Sequence, residues 1–373
     1  MTLPSRAPAW SDDDVEALVA AVAAEPARRD ELVALLREDS AVFAGRGSVA
    51  ATRRRSWIIA SFATVGLPPT ALPYVLEDLE SEVDPFAVAA AAHAVGGLAV
   101  PTPAVAAVLV DALVRLRARD DTVSLASLRP SWPVARPTTV LGELLTAIGQ
   151  VGGAASGQRD RLIRLRGEHA STWSTPVRRQ LDAVIAGLPH DCCAAQADRS
   201  GDPAGDAFVA TDVDLAAVEL EDQDGVPLTF DALLAGRRAV VAFFYTRCPN
   251  PNKCSLTISK LAELQGLLEA DGLADRVRIA AITYDPGFDR PERMRRYGHS
   301  RGLRFTGSVR MLRATTGHEL LRRHFGLRVG YVGSIVNRHA IELFLVDAGG
   351  AITTTWARAQ WDLSDVRSQL LTS

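Results

Sequence analysis

Lysine is almost absent: of 41 basic residues, only Lys253 and Lys260 are lysines. The arginine excess reads as coding bias of a GC-rich genome, not as function. Cysteine is scarce as well, with four in 373 residues, too few for a disulfide framework. No strong excess of one charge exists, and a net charge of −3 gives no reason to expect nucleic acid or an anionic membrane as partner. No apolar run approaches the roughly 20 residues of a membrane span. The start, MTLPSRAPAWSDDDVEALV, lacks an apolar segment behind a basic region, so no export signal is visible. These absences predict a cytoplasmic protein with no membrane span and no nucleic-acid partner.

What is present is ordinary in amount. Hydrophobic residues at 47% and charged residues at 23% are those of a soluble globular protein. A length of 373 residues predicts two domains.

The sequence has two grammars. Up to residue 190 its punctuation is helical. Ser11 and Ser48 stand as N-caps, and Asp84-Pro85, Thr102-Pro103 and Thr175-Pro176 each place a capping residue before a proline at the first helical position. Glycines such as Gly66, Gly96, Gly97, Gly152 and Gly187 close the segments. Strand-like alternation is nearly missing, which predicts no strand in the first 180 residues. The stretches ASFATVG, AAAHAVGG and LTAIGQVGG each put small residues before a stop. Such residues let helix pairs stack closely, so residues 1–190 resemble HEAT-type helical repeats. An irregular helical bundle is the plainer alternative. His93 and His169 lie in this half and read as packing or surface residues. The half carries no convergent titratable cluster, which predicts a docking surface rather than a catalytic one. Residues 191–206, DCCAAQADRSGDPAGD, have the composition of a linker.

From residue 207 the pattern becomes mixed. A hairpin is expected around Asp224-Gly225, then buried strands in RRAVVAFFYTR and RVRIAAITYD, separated by the helix SLTISKLAELQGLLEADG. Asp289 and Glu292 form a capping-box-like start for PERMRRYGHSRG. RFTGSV is expected as a short strand, TGHELLRRHFG as a helix, and AIELFLVDAGGAITTTW as a hairpin at Gly349-Gly350. WDLSDVRSQLL closes the chain as a helix. This order is that of an α/β sheet whose active end lies beyond its first central strand.

At that end stands TRCPNPNKCS. It places Cys248 just past the strand and Cys254 at the start of the next helix. A helix N-terminus favours thiolate, and Arg247 and Lys253 are expected to push the same way. Pro249 and Pro251 stiffen the loop. Thiolates serve metal binding and disulfide chemistry alike. Two thiolates and an imidazole suit copper, whereas structural zinc takes a fourth protein ligand that no motif here supplies.

Here the sequence resembles the SCO/SenC family, thioredoxin-fold copper chaperones of cytochrome oxidase assembly. The resemblance spans residues 207–373 and rests on VVAFFYTRCPNPNKC, AITYDPGFDRPERMRRYG and RHAIELFLVDAGGAI. In that family two cysteines and a distal histidine bind copper, which implies Cys248, Cys254 and His339 as the site. The sequence departs from the family in its longer spacer, in Ser255 where proline is usual, and in lacking a visible membrane anchor.

The implied architecture is an all-α HEAT-like domain (1–190), a linker (191–206) and an α/β thioredoxin-like domain (207–373). The implied function is copper delivery to a client cuproprotein. The alternative is an enzyme, a thiol–disulfide oxidoreductase in which Cys248 and Cys254 act on a cysteine-containing client. A peroxidase is disfavoured, because Tyr245 and Pro251 stand where the threonine three residues before a peroxidatic cysteine belongs. His318, His324 and Asp285 receive no role. The pair Cys192-Cys193, with His190 beside it, reads either as an auxiliary copper site or as the small-residue end of the helical half.

Overall fold

The structure, a computed structural model, describes residues 10–169, 172–189, 213, 215–358 and 360–372. Its contacts divide the chain into two compact units, Met1–Gly205 and Asp206–Ser373, each with its own hydrophobic core. The expected linker 191–206, His190, Cys192 and Cys193 lie outside the described residues.

The first unit is helical: α1 (Asp12–Ala24), α2 (Asp30–Leu35), α3 (Ser48–Val65), α4 (Leu72–Ser81), α5 (Pro85–Val95), α6 (Pro103–Arg115), α7 (Val140–Val151), α8 (Arg159–His169) and α9 (Thr175–Gly187). Ser11 closes a full capping box with Asp14, and the side chains of Asp84 and Thr102 cap α5 and α6. Two expected caps move by one residue: Ser48 and Thr175 are the first helical residues, behind Gly47 and Ser174.

Alanine explains the packing. In α5 every alanine is buried, and the helix is wedged against α3 and α7. The stop after α5 is tighter still. A Cβ at Gly97 would lie 2.0 Å from the Phe62 carbonyl oxygen, so only glycine lets these backbones meet. The Gly97 carbonyl accepts a 2.7 Å hydrogen bond from Leu67 N. His93 lies 2.9 Å from Glu143, and His169 stacks on Trp173.

The expectation of no strand in this half is corrected. Residues β1 (Thr122–Val123) and β2 (Thr138–Thr139) form a two-residue antiparallel ladder. It closes the ARDDTVSLASLRPSWPVARP excursion at its neck, and Thr139 then caps α7. So short a ladder has no alternation to read. Among the described residues no helix is long and apolar enough to cross a membrane.

The second unit is built on a seven-stranded sheet. In chain order its elements are β3 (Glu219–Asp222), β4 (Pro227–Thr229), α10 (Phe230–Leu234), β5 (Arg238–Phe244), α11 (Leu256–Ala270), β6 (Val277–Thr283), α12 (Pro291–His299), β7 (Val309–Thr316) and α13 (His318–His324). There follow β8 (Val329–Val332), β9 (Ile335–His339), β10 (Glu342–Val346), β11 (Ile352–Ala357) and α14 (Leu363–Thr372). The sheet order is β11-β10-β5-β6-β7-β3-β4, with β5, β6 and β7 parallel and the remaining pairs antiparallel. β5 and β6 are the buried centre, as their continuous apolar runs predict.

Three expectations shift here. The third parallel strand is VRMLRATT, not RFTGSV. Its alternation is masked by Arg310 and Arg313, which pair with Asp222 and Glu221 of β3. The capping box at Asp289 does not form: Arg290 is the N-cap of α12, and its guanidinium has no acceptor to offer the first-turn amides. Finally, β8 and β9 make a separate hairpin that the sequence reading passed over.

Candidate metal centre

The centre begins where β5 ends. Phe244 is the last strand residue, and its carbonyl accepts from Tyr284 N at 2.7 Å, holding the ends of β5 and β6 together. Asp289 tightens this junction. Its carboxylate is wholly buried and accepts from Thr246 N (3.0 Å), from the Thr246 hydroxyl, and from the Thr283 hydroxyl (2.5 Å). Burial raises its pKa, and the threonine hydrogen bonds only partly offset that. Its hydrogen bonds go to the ends of β5 and β6 and not to the first turn of α12.

The five residues between the cysteines are held from both sides. Asn250 Oδ1 accepts from Asn252 N at 2.9 Å, an Asx turn that starts the π-helical turn Pro251–Ser255. The turn is irregular, with Lys253 at φ −108° and ψ −110°. From the far end of the unit, Gln360 Nε2 donates to the Asn252 carbonyl at 2.7 Å. Lys260 Nζ fixes the neighbouring strap by donating to the Trp361 carbonyl at 2.6 Å. Ser255 accepts from Arg301 Nε at 2.9 Å, and Arg301 lies over the Tyr297 ring.

This loop leaves Cys248 partly accessible and Cys254 buried, both as free thiols. The third side chain arrives on the β8–β9 hairpin. His339, the last residue of β9, is buried, with Nδ1 2.7 Å from the Ala340 carbonyl oxygen. That contact requires Nδ1 to donate, so Nε2 is the atom turned to the sulfurs. It lies 3.4 Å from Cys248 Sγ and 3.6 Å from Cys254 Sγ. The three ligand atoms are all within 4.8 Å of one another, the one such group among the described residues.

Aromatic rings fix the imidazole. Tyr245 meets it edge-on at 5.3 Å and Tyr284 lies 5.5 Å away. Tyr284 is in turn anchored: its hydroxyl donates to Glu342 at 3.0 Å, and its carbonyl accepts from the Tyr331 hydroxyl at 2.8 Å. Burial pushes the Tyr245 and Tyr284 hydroxyls well up, so both stay neutral hydrogen-bond donors.

The two thiols differ. Hydrogen bonding from Cys254 lowers the pKa of Cys248, and the His339 ring helps against the opposing burial. Cys254 is pushed up by burial and by the neighbouring Cys248. The pair therefore holds one thiolate and one thiol at neutral pH. The expected flanking cations contribute unequally. Arg247 grips the buried Asp285 carboxylate instead of the sulfur, while Lys253 slightly favours the Cys254 thiolate. Asp285, given no role from sequence, is thus the partner of Arg247.

The structure brings Cys248, Cys254 and His339 together, and the two histidines of α13 take other partners. His318 lies 3.3 Å from the Tyr331 hydroxyl and His324 lies 3.0 Å from the Gly350 carbonyl. Sequence reasoning missed Asp289 as a clamp, Gln360, and the hairpin carrying His339. For the hairpin a signal existed: VGYV and IVNRH flank the two-residue turn Gly333-Ser334. For Gln360, 108 residues from its acceptor, there was none.

Residues 215–370 match the SCO1/SenC family model. No curated protein matches the chain. Among solved structures it is similar to an SCO1/SenC family lipoprotein of Bacillus anthracis strain Ames, with 20% identity over 43% of this chain and 94% of that one, at a TM-score of 0.38. It is also similar to BsSco, a member of the Sco family of cytochrome c oxidase assembly proteins with an identified disulfide switch (20% identity, 44% and 96% coverage, TM-score 0.37). Copper-bound ScoI of Bradyrhizobium japonicum is a third (21% identity, 42% and 96% coverage, TM-score 0.34). Residues 215–370 are an SCO1/SenC domain with a thioredoxin-like sheet, and a helical region precedes it in the chain.

Proposed function

We propose that the protein is a copper metallochaperone: Cys248, Cys254 and His339 hold one copper ion and pass it to a client cuproprotein. The observation that carries this reading is the convergence of two sulfurs and one imidazole nitrogen within 4.8 Å. Two soft sulfurs and one borderline nitrogen suit Cu(I), and the imidazole also accommodates Cu(II). Copper is cargo here, so the donor set must bind and also let go. A partly accessible Cys248 beside a buried Cys254 gives an incoming ligand one sulfur to approach first. The family assignment and the copper-bound ScoI of Bradyrhizobium japonicum support the choice of metal. We read the helical region 1–190 as a HEAT-like docking surface, because its described clusters offer no competing site.

The test uses the full reduced chain without oxygen. One equivalent of Cu(I) is added, then iodoacetamide, and peptides are mapped. Protection of both Cys248 and Cys254 is expected, since a metal-bound thiolate is a poor nucleophile. Alkylation of Cys248 at the metal-free rate overturns the reading.

One observation favours a second reading. A lowered, accessible Cys248 beside a raised, buried Cys254 is the arrangement of an attacking and a resolving thiol, as in a thiol–disulfide oxidoreductase. The two readings share a metal-free state in which the pair can close as a disulfide.

A further inference from the structure

The residue before the accessible thiol belongs to a cationic ladder that metal binding does not use. The Arg247 guanidinium lies 3.9 Å from the centroid of the Phe288 ring, and Arg293 lies 4.0 Å from the same centroid. Arg247 is anchored by its contact with the buried Asp285 carboxylate, yet its side chain remains 34% exposed. Phe288 is half-buried, and Arg293 is exposed on α12.

The ladder continues along that helix. Arg290 and Arg296 are exposed as well, and among the described residues Arg290, Arg293 and Arg296 have no ion-pair partner. Arg295 points to Asp224. Glu292 is the one acidic residue of the helix. A surface with this sign stands out on a chain whose net charge is −3, so general solubility does not account for it.

Stacking holds the guanidiniums of Arg247 and Arg293 in place before a partner arrives, which cuts the entropy lost on docking. Arginine and aromatic side chains are also the residue types that dominate binding energy at interfaces. Complementary charge beside a reactive thiol raises the encounter rate.

We propose that Arg247, Phe288 and Arg293, extended by Arg290 and Arg296, form the docking face for the protein whose thiols meet Cys248, and that this partner presents an acidic surface there. The inference rests on reading Cys248–Cys254–His339 as a site that exchanges with a client, and it names the client's chemistry.

Thiol exchange tests it without copper. Two peptides differ only in flanks of glutamate or lysine, and each carries one cysteine as a mixed disulfide with thionitrobenzoate. The Cys248 thiolate attacks the peptide sulfur and expels thionitrobenzoate. Cys254, losing its proton to solvent, then attacks Cys248 Sγ, closes the protein disulfide and releases the peptide thiol. The full reduced chain carries Cys192→Ser and Cys193→Ser so that the site thiols alone report.

At low ionic strength the glutamate peptide is expected to release thionitrobenzoate about tenfold faster than the lysine peptide, with the ratio shrinking toward one in high salt. Arg293→Gln with Arg296→Gln should bring the low-salt ratio close to one, and charge reversal to glutamate should invert it. Equal rates for the two peptides at low salt overturn the docking face, as does an unchanged ratio in folded glutamine variants. Copper uptake of the parent decides the other question separately. A chain that takes up no copper but keeps the glutamate preference retains the docking face and loses the chaperone reading.

Discussion

Cys248→Ser and Cys254→Ser are each expected to abolish tight Cu(I) binding by the full chain. Each removes one of only two sulfurs from a group of three donors, and a serine hydroxyl is a hard, protonated ligand that Cu(I) does not favour. The loss should exceed the roughly 10–100-fold that removing an outer-shell partner of a metal ligand costs. The two variants should differ in other respects. Cys254 is 1% exposed, so a hydroxyl there must find a partner in an apolar setting, whereas Cys248→Ser sits at the partly open side of the site. Cys254→Ser should therefore melt lower, while both fail to compete for Cu(I) against a chromophoric chelator. Affinity in the parent should fall with acid as protons compete for the ligands. Retention of parental Cu(I) affinity by either variant would remove the cysteines from the site.

The second large effect is structural. Asp289→Ala should destabilise the second unit by about 3 kcal/mol, because it removes the acceptor shared by the amide and hydroxyl of the half-buried Thr246 and by the hydroxyl of the buried Thr283. For a unit of this size that is a fall in Tm of roughly 6–12 °C. Thr246 lies two residues before Cys248, so the variant should also broaden the spectrum of any metal bound there. Asp289→Asn can keep all three contacts by turning its amide nitrogen to the Thr246 hydroxyl oxygen, and it should cost far less. Its pH behaviour carries a definite sign. The pKa of Asp289 is raised in the folded state above the ordinary 3.8, so the native state holds the proton more tightly. Its contribution is full below that ordinary value and is lost as pH rises through the folded-state value. Parent minus Asp289→Asn stability, from urea unfolding between acid and neutral pH, should therefore decline as pH increases. A rising difference would show that the carboxylate is stabilised as the anion.

Asp289 also illustrates what the sequence discloses and what it withholds. The spacing Asp289–Glu292 carries a capping signal, but a tertiary partner competed for the same carboxylate and won. Where a signal depends on the chain's own period it is legible: β5 and β6 are continuous apolar runs, and their burial follows. The alanine-rich α5 and its glycine stop likewise disclose close helix packing. β7 was misplaced because Arg310 and Arg313 interrupt its apolar residues, and their reason for being there lies on β3. The site was legible as a set of three residue types. Its orientation was not, because the Nδ1 contact of His339, the Tyr245 and Tyr284 rings, and the Gln360 strap all join positions distant in sequence.

His339 is the donor that distinguishes a copper site from a plain thiol pair. The measurement is paired titration of the reduced full chain and of its His339→Ala variant with Cu(I) and with Cu(II), following the Cu(II) complex by electron paramagnetic resonance. The parent should take one Cu(I) at the site and form a Cu(II) complex with nitrogen hyperfine coupling. His339→Ala should weaken Cu(I) binding only modestly, since two sulfurs suffice for a linear ion, but should lose the nitrogen coupling and most of its Cu(II) affinity. If His339→Ala binds both oxidation states as the parent does, or if the folded parent takes up no copper, the chaperone account is contradicted and thiol–disulfide exchange becomes the function of the pair.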